Sequence, residues 1–228
     1  MRAYRNTNTA TESLVSRLNK MSLEERFAYH LQYHDIMDWT PFVIGNSKVY
    51  AHIFDTLAVY TCPNHADCEA TCYARKFQRM YAGCLMRRSI NTYLAENDLD
   101  TLEKLIIAQL THARRDIVRL HSSGDFFSQA YVDLWTRIAE RFPAISFYTY
   151  TKTSWDFSSL LSLPNFNLVS SICPDGSINY GTLDAMRTKA RAFHAPICPY
   201  RAGQQGNPHC GKECRICLKS PLVLFVQH

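Results

Sequence analysis

Cysteine is the residue type through which this chain could do most chemistry: it carries nine, seven of them in two crowded groups. The first is Cys62, Cys68 and Cys72, within TCPNHADCEATCYARK, and the second is Cys198, Cys210, Cys214 and Cys217, within ICPYRAGQQGNPHCGKECRICLK. Thiolates three or four positions apart can meet at one centre from a turn or the start of a helix, so both groups have metal-ligand spacing. The second group supplies four soft ligands, enough to close a tetrahedral zinc site or to ligate every iron of a cubane cluster. Three of these cysteines crowd between 210 and 217, with the fourth twelve positions upstream. That pattern departs from the paired arms of structural zinc and favours iron–sulfur ligation, with zinc as the alternative. The first group offers three thiolates, which on a 4Fe-4S cluster leaves one iron open to a substrate or cofactor unless another side chain reaches it. Zinc would instead take the three cysteines with His65, which lies between them. Cys84 and Cys173 stand apart and read as small buried hydrophobes, although Cys173, at a strand end, could line a site.

The elements that must position these residues follow from periodicity. Thr11 can cap a helix carrying Leu14, Leu18 and Met21, and Ser22 with Glu25 has the capping-box pattern ahead of Phe27, His30, Leu31 and His34. His30 and His34 have a zinc-compatible spacing but lack the glutamate of a metalloprotease motif, so they read as core or surface histidines. After a turn at Gly45 and Asn46, Val49–Tyr60 is rich in β-branched and aromatic residues and reads as a strand. Helices are expected over Cys72–Asn97 and Leu99–Arg115, then a strand–helix alternation. Its strands are Ile117–His121, Ile145–Tyr150 and Asn167–Ile172, its helices Ser128–Arg141, Ser154–Leu161 and Leu183–Phe193, and Leu222–Val226 adds a last strand. Such alternation means an α/β fold with mainly parallel strands, because parallel neighbours need a crossover and the crossover is usually helical. Cys62, Ser122 to Asp125, Thr151 with Lys152, and Cys173 with Asp175 all follow the C-terminal ends of expected strands, the edge where such folds build their sites. Gly203 to His209 reads as a flexible loop.

At 228 residues the chain is long enough for a real hydrophobic core, and its 46% hydrophobic and 20% charged residues exclude a disordered chain. No apolar run approaches the roughly 20 residues of a membrane span, and the polar Met1–Ser16 lacks a secretory signal, so a cytoplasmic location is expected, in which clustered cysteines bind metal rather than cross-link. The net charge of +5 is mild. Arg75, Lys76, Arg79, Arg87 and Arg88 follow the first cysteines and Arg201, Lys212, Arg215 and Lys219 surround the last, where they could offset thiolate charge or simply form solvated helix faces. Tyrosine and arginine around the cysteines also suit a single-stranded nucleic acid, and a protein partner is equally compatible. The eight glycines form no GxGxxG or GxxxxGK phosphate cradle, and there is no serine-hydrolase elbow.

The run TCPNHADCEATCYARK, then RLHSSGDFFSQAYVDLWTRIAERFP, SFYTYTK and CGKECRIC with a terminal PLVLFVQH resembles the phage "gene product 88" family over roughly Val49 to His228. That family is similar in turn to radical S-adenosylmethionine (radical SAM) proteins. The resemblance implies a partial (β/α) barrel over residues 46–228, with residues 1–45 as a helical extension, an iron–sulfur cluster at the mouth, and a host-cell cytoplasm location. In such barrels a GGE-like segment after the second strand contacts the amino group of the cofactor's methionine, and Ser123, Gly124 and Asp125 occupy that place. Lys152 could reach a carboxylate or phosphate. The chain departs from the family of radical enzymes in having its CxxxCxxC only at Cys210, Cys214 and Cys217, a wider Cys62, Cys68, Cys72 group after the first strand, and Asp125 where glutamate is usual. Two functions follow: a radical SAM-type enzyme, or a non-catalytic iron–sulfur or zinc protein that braces loops, senses redox state or meets nucleic acid.

Overall fold

The computed structural model describes residues 13–45, 48–66, 68–200 and 206–226. Two helices lead, α1 (Leu14–Lys20) and α2 (Leu23–Leu31), followed by strands β1 (Phe42–Ile44) and β2 (His52–Phe54). Then come α3 (Tyr73–Met80), α4 (Ala82–Asn97) and α5 (Leu99–Thr111). The alternation continues as β3 (Ile117–Leu120), α6 (Gln129–Arg141), β4 (Ser146–Thr151), α7 (Ser158–Leu161) and β5 (Phe166–Ser170). The chain ends with β6 (Tyr180–Gly181), α8 (Leu183–Phe193) and β7 (Phe225–Val226). None of these helices is long and apolar enough to cross a membrane.

The main sheet has the order β1-β2-β3-β4-β5, with β1 antiparallel to β2 and all other pairs parallel. Four consecutive parallel strands lying side by side are the repeating unit of a (β/α) barrel, but among the described residues the sheet stays open. Side chains alternate across it. Phe54, Val118, Leu120, Phe147 and Phe166 point to the face covered by α4, α5 and α6, where they meet Ile90, Leu105, Trp135 and Ile138 in the principal core. Leu18 and Leu23 of the leading helices join that same core. On the opposite face Ile53, Ile117, Tyr148, Tyr150 and Val169 are covered by the C-terminal segment, including Cys198, Cys217 and Val223.

Several elements form where local chemistry predicts them. The Ser22 hydroxyl accepts from Glu25 N and Glu25 Oε2 accepts from Ser22 N at 2.7 Å, a complete capping box. Ser128 caps α6 by accepting from Tyr131 N, and α8 spans the expected residues. Ser13 caps α1; Thr11, Asn46, Arg201 and residues 203–205 of the glycine-rich loop lie outside the described residues.

β1 and β6 were not expected, the last strand shortens from Leu222–Val226 to Phe225–Val226 and pairs with β6 in a separate two-stranded sheet, and three further elements differ for a tertiary reason. The strand expected over Val49–Tyr60 is only His52–Phe54, because Thr56 N bonds Ser123 O, Leu57 N bonds Thr92 Oγ1 and Val59 turns to φ 72°, lifting the chain off the sheet towards the cysteines. The helix expected over Cys72–Asn97 breaks at Tyr81, whose extended dihedrals separate the largely exposed α3 from the largely buried α4. Ser154–Phe157 does not join α7, because Trp155 Nε1 donates to Phe126 O and Asp156 N donates to Gln129 Oε1. Arg87 and Arg88 are buried on α4 rather than solvated.

Candidate functional site

At the C-terminal ends of the parallel strands, the loop after β2 carries Cys62, a short 3-10 turn follows Cys68, and Cys72 caps α3, its sulfur accepting from Arg75 N at 3.4 Å. All nine cysteines lie among the described residues and none forms a disulfide. Burial raises the Cys62 thiol to about 11, and the nearby Asp125, Cys72 and Cys68 push in the same direction against a hydrogen bond at Val59. Cys62, Cys68 and Cys72 follow β2 and Asp125 follows β3, its parallel neighbour, so they lie at the same edge of the sheet. His65 is turned to other partners: Nδ1 lies 2.7 Å from Cys62 O and Nε2 3.4 Å from Glu69, which also pairs with Arg75.

The Ser122–Asp125 turn is fastened from below by Asp55. Its carboxylate accepts from Ser122 Oγ at 2.6 Å and from Ser123 N at 3.0 Å, and it pairs with buried Arg88 at 3.2 Å. Ser123 Oγ donates to Thr56 O, so this hydroxyl ties the turn to the loop after β2. Gly124 has φ 84°, and a Cβ there would stand 1.9 Å from Thr56 Oγ1 and 2.6 Å from Thr61 Oγ1; only glycine fits. Asp125 is 7% exposed and accepts from Thr151 Oγ1 at 2.7 Å, Phe126 N at 2.8 Å and Lys152 N at 3.0 Å. Burial raises its carboxyl to about 6 despite those bonds. Lys152 thus meets Asp125 through its main chain, and its carbonyl accepts from Asn64 Nδ2. Lys152 also lines a cleft of about 410 Å³ with Thr153, Leu168, Ser170 and Pro221.

The second cysteine group lies across the inner face of the sheet. Cys210 is sewn to the entry of β2, Tyr50 N donating to its carbonyl at 2.7 Å and its own N–H donating to Lys48 O at 3.0 Å. Asn167 of β5 donates to Cys217 O and Ser220 O, both at 2.8 Å, and Cys198 N donates to Leu224 O. Beneath the sulfurs stand two tyrosines: Tyr150 Oη donates to Cys217 Sγ at 2.8 Å, and Tyr148 Oη lies 3.9 Å from Cys210 Sγ. Burial raises the Cys217 thiol to about 11, with Cys210 and Cys198 adding to the rise. Cys214 closes the tight turn, its carbonyl accepting from Gly211 N. Cys173 is buried with Met186, Ala195 and Leu224 in a separate apolar cluster.

Among the described residues, no three His, Cys, Asp or Glu side chains converge closely enough to hold a metal ion. All nine cysteines are free thiols, the donor type of a soft metal, but the two groups are not closed ligand sets in this structure. Asp55, Tyr148 and Tyr150 are the site residues that sequence reasoning passed over. Asp55 at the foot of a strand had no signal beyond its position.

The family description "Gene product 88" matches residues 12–205. Proteins named "Gene 88 protein" from Mycobacterium phage D29 and Mycobacterium phage L5 are each 28% identical over 134 residues, 51% of this chain and 53% and 54% of theirs. The chain spans about half the length of the curated relatives it matches. No solved structure matches. A family match over that much of the sequence means that the chain belongs to the Gene product 88 family.

Proposed function

We propose that this chain is an iron–sulfur protein acting in the host-cell cytoplasm, built on a radical-SAM-like partial (β/α) barrel. The placement of Cys62, Cys68 and Cys72 on the segment after β2, beside the Ser122–Asp125 turn after the neighbouring parallel strand β3, carries the reading; the turn is tied to that segment by Thr56 N donating to Ser123 O. A 4Fe-4S cluster held by those three thiolates would supply one-electron chemistry to S-adenosylmethionine. The chain's own residues do the rest. Asp125, held by Thr151, Phe126 N and Lys152 N, presents a fixed acceptor for the amino group of the methionine moiety. Lys152, beside the cleft, offers a cation to its carboxylate, while Ser123 and Gly124 hold the turn close against Thr56 and Thr61. The four C-terminal cysteines hold a second centre that braces the inner face.

The test is anaerobic quantitation of iron, sulfide and zinc in the full chain, followed by electron paramagnetic resonance of the reduced protein titrated with S-adenosylmethionine. Iron with sulfide, lowered in Cys68→Ala by the share of the first centre, and a cofactor-dependent change of signal that this variant lacks, is the expected result. An iron-bearing protein whose signal ignores saturating cofactor would leave a non-catalytic cluster protein, and zinc alone would overturn iron–sulfur chemistry altogether.

One observation favours a nucleic-acid role as the second reading. Tyr73 and Phe77 on α3 and Tyr81 at its C-terminal cap are 58%, 49% and 52% exposed, and the rings of Phe77 and Tyr81 stack 5.8 Å apart on the segment that carries Lys76 and Arg79. Stacking surfaces flanked by cations suit single-stranded nucleic acid. Replacing Phe77 and Tyr81 with alanine should weaken binding of a single-stranded oligonucleotide and leave the melting temperature unchanged; unaltered binding would dismiss this face.

A further inference from the structure

A cleft of about 590 Å³ opens where the leading helices and α3 meet the loop after β2. Arg26 of α2 and Arg75 and Arg79 of α3 line it, with Leu57, Leu85 and Tyr60 as its apolar part, and no Asp, Glu or Cys is among the described residues that line it. Its walls are fastened to one another. Asn19 Nδ2 of α1 donates to Arg79 O at 3.2 Å, and Gln78 Oε1 of α3 accepts from Ala58 N at 3.0 Å, so α1, α3 and the loop are held in place before any ligand arrives. Tyr60 is 59% exposed and its Oη donates to Glu96 Oε2 at 3.2 Å, which fixes an accessible ring at the rim.

The three cations are differently placed. Arg26 is half-buried and held by neutral oxygens, Nε donating to Leu18 O at 2.8 Å and Nη1 to Ser89 Oγ at 3.3 Å, with its sequence neighbour Glu25 as the acid that acts on it. Arg75 pairs with Glu69 at 2.6 Å. The guanidinium of Arg79 has no hydrogen bond or ion pair among the described residues. Two of the three side chains are thus immobilised already, and a ligand that meets them pays little to order them. The main chain adds donors. Val59 takes φ 72°, rare for a β-branched residue, and the N–H groups of Val59 and Tyr60 have no acceptor among the described residues. Successive free N–H groups in a turn favour anions. Guanidinium forks match phosphate, and a phosphate monoester, with a charge of about −1.5 to −2 at pH 7, can meet several of them at once. The cleft has the size of a small-molecule site, and its apolar part with the Tyr60 ring suits the nucleoside that such a phosphate carries.

We propose that this cleft is a nucleotide site, in which Arg79, Arg75 and Arg26 receive a terminal phosphate monoester and Leu57, Leu85 and the Tyr60 ring receive the nucleoside. The monoester belongs either to a free mononucleotide or to the 5′ end of a strand; the chemistry is the same and the probes below separate the two sources. The site rests on neither reading of the proposed function. It contains no cysteine, and Arg75, Gln78 and Arg79, spaced i, i+3 and i+4, occupy a different side of α3 from Tyr73 and Phe77.

The experiment is calorimetric titration of the full chain with adenosine 5′-monophosphate, adenosine and inorganic phosphate, and with a short single-stranded oligoadenylate made with and without a 5′-phosphate. Adenosine 5′-monophosphate binding roughly tenfold or more tightly than adenosine or phosphate alone supports the site with a free nucleotide as its ligand. A margin of that size only between the phosphorylated oligonucleotide and its unphosphorylated twin supports it with a strand end instead. No preference for phosphate in either pair overturns the site, as does inorganic phosphate binding as tightly as the phosphorylated ligands, because the nucleoside would then contribute nothing. Arg79→Gln should lower affinity for the preferred ligand roughly tenfold or more and leave the melting temperature unchanged, since its guanidinium holds nothing in the free chain. Arg79→Lys should fall between the two, keeping the charge and losing the fork. Wild-type affinity in Arg79→Gln overturns the proposal. Loss of mononucleotide binding in the Phe77→Ala, Tyr81→Ala double variant but not in Arg79→Gln would move the ligand to the aromatic face and overturn the cleft, whereas failure of that face to bind an oligonucleotide leaves the cleft standing.

Discussion

Asp125 is a carboxyl surrounded by donors and still raised by burial to about 6, which gives stability a definite pH signature. Its folded value lies above the ordinary 3.8, so the folded state binds the proton more tightly than the unfolded chain. In the metal-free protein stability should therefore fall as pH rises from about 4 to about 6 and level off above, by about 3 kcal/mol for a shift of that size. Asp125→Asn should flatten that slope in urea titrations taken across the window; a slope unchanged by the substitution would assign it to another group. The neighbouring Gly124 makes a steric prediction. Gly124→Ala must hold φ 84° and displace Thr56 Oγ1, which together should cost about 3 kcal/mol and lower the denaturant midpoint accordingly. A midpoint within error of the wild type would mean that the turn relaxes without loss.

At the scale of elements, β5 and the C-terminal cysteine turn meet through one side chain. Asn167→Ala removes two hydrogen bonds to carbonyls of that turn and should cost about 2 kcal/mol, and it should speed the loss of metal from the proposed C-terminal centre. A thermal melt and a chelator time course check the two halves separately. What the sequence made legible were elements whose signals are local: the Ser22–Glu25 box, the Ser128 cap and the periodicity of Leu183–Phe193. β1 was missed because three residues, Phe42–Ile44, carry no alternation to read, and β2 was drawn too long because its apolar continuation is claimed by Ser123 and Thr92 from elsewhere in the fold. The cysteine groups could be read from spacing, and the common edge of Cys62 and Asp125 from strand order. The seating of Cys210 against Tyr50, and of Cys217 on Tyr150, joins positions more than sixty residues apart, and no local pattern encodes it.

Across the whole molecule, one face of the sheet is covered by α4, α5 and α6, whereas the other is covered by chain with little regular structure of its own. The helical side carries its own apolar core; the segment around Cys210–Cys217 has one short 3-10 turn and a few stitches to the sheet. If the proposed C-terminal centre is present, its removal should therefore act unevenly. Hydrogen exchange after chelation should show residues 206–226 losing protection first, with α4 and α6 unchanged; uniform loss would mean that the centre supports the whole fold. The same arrangement bears on the order of synthesis. Ile53, Arg119, Tyr148 and Tyr150 leave the ribosome well before the segment that covers them, so a nascent sheet carries an uncovered inner face until residues beyond 206 emerge. That interval is a window in which a chaperone has access to a surface that the finished protein hides.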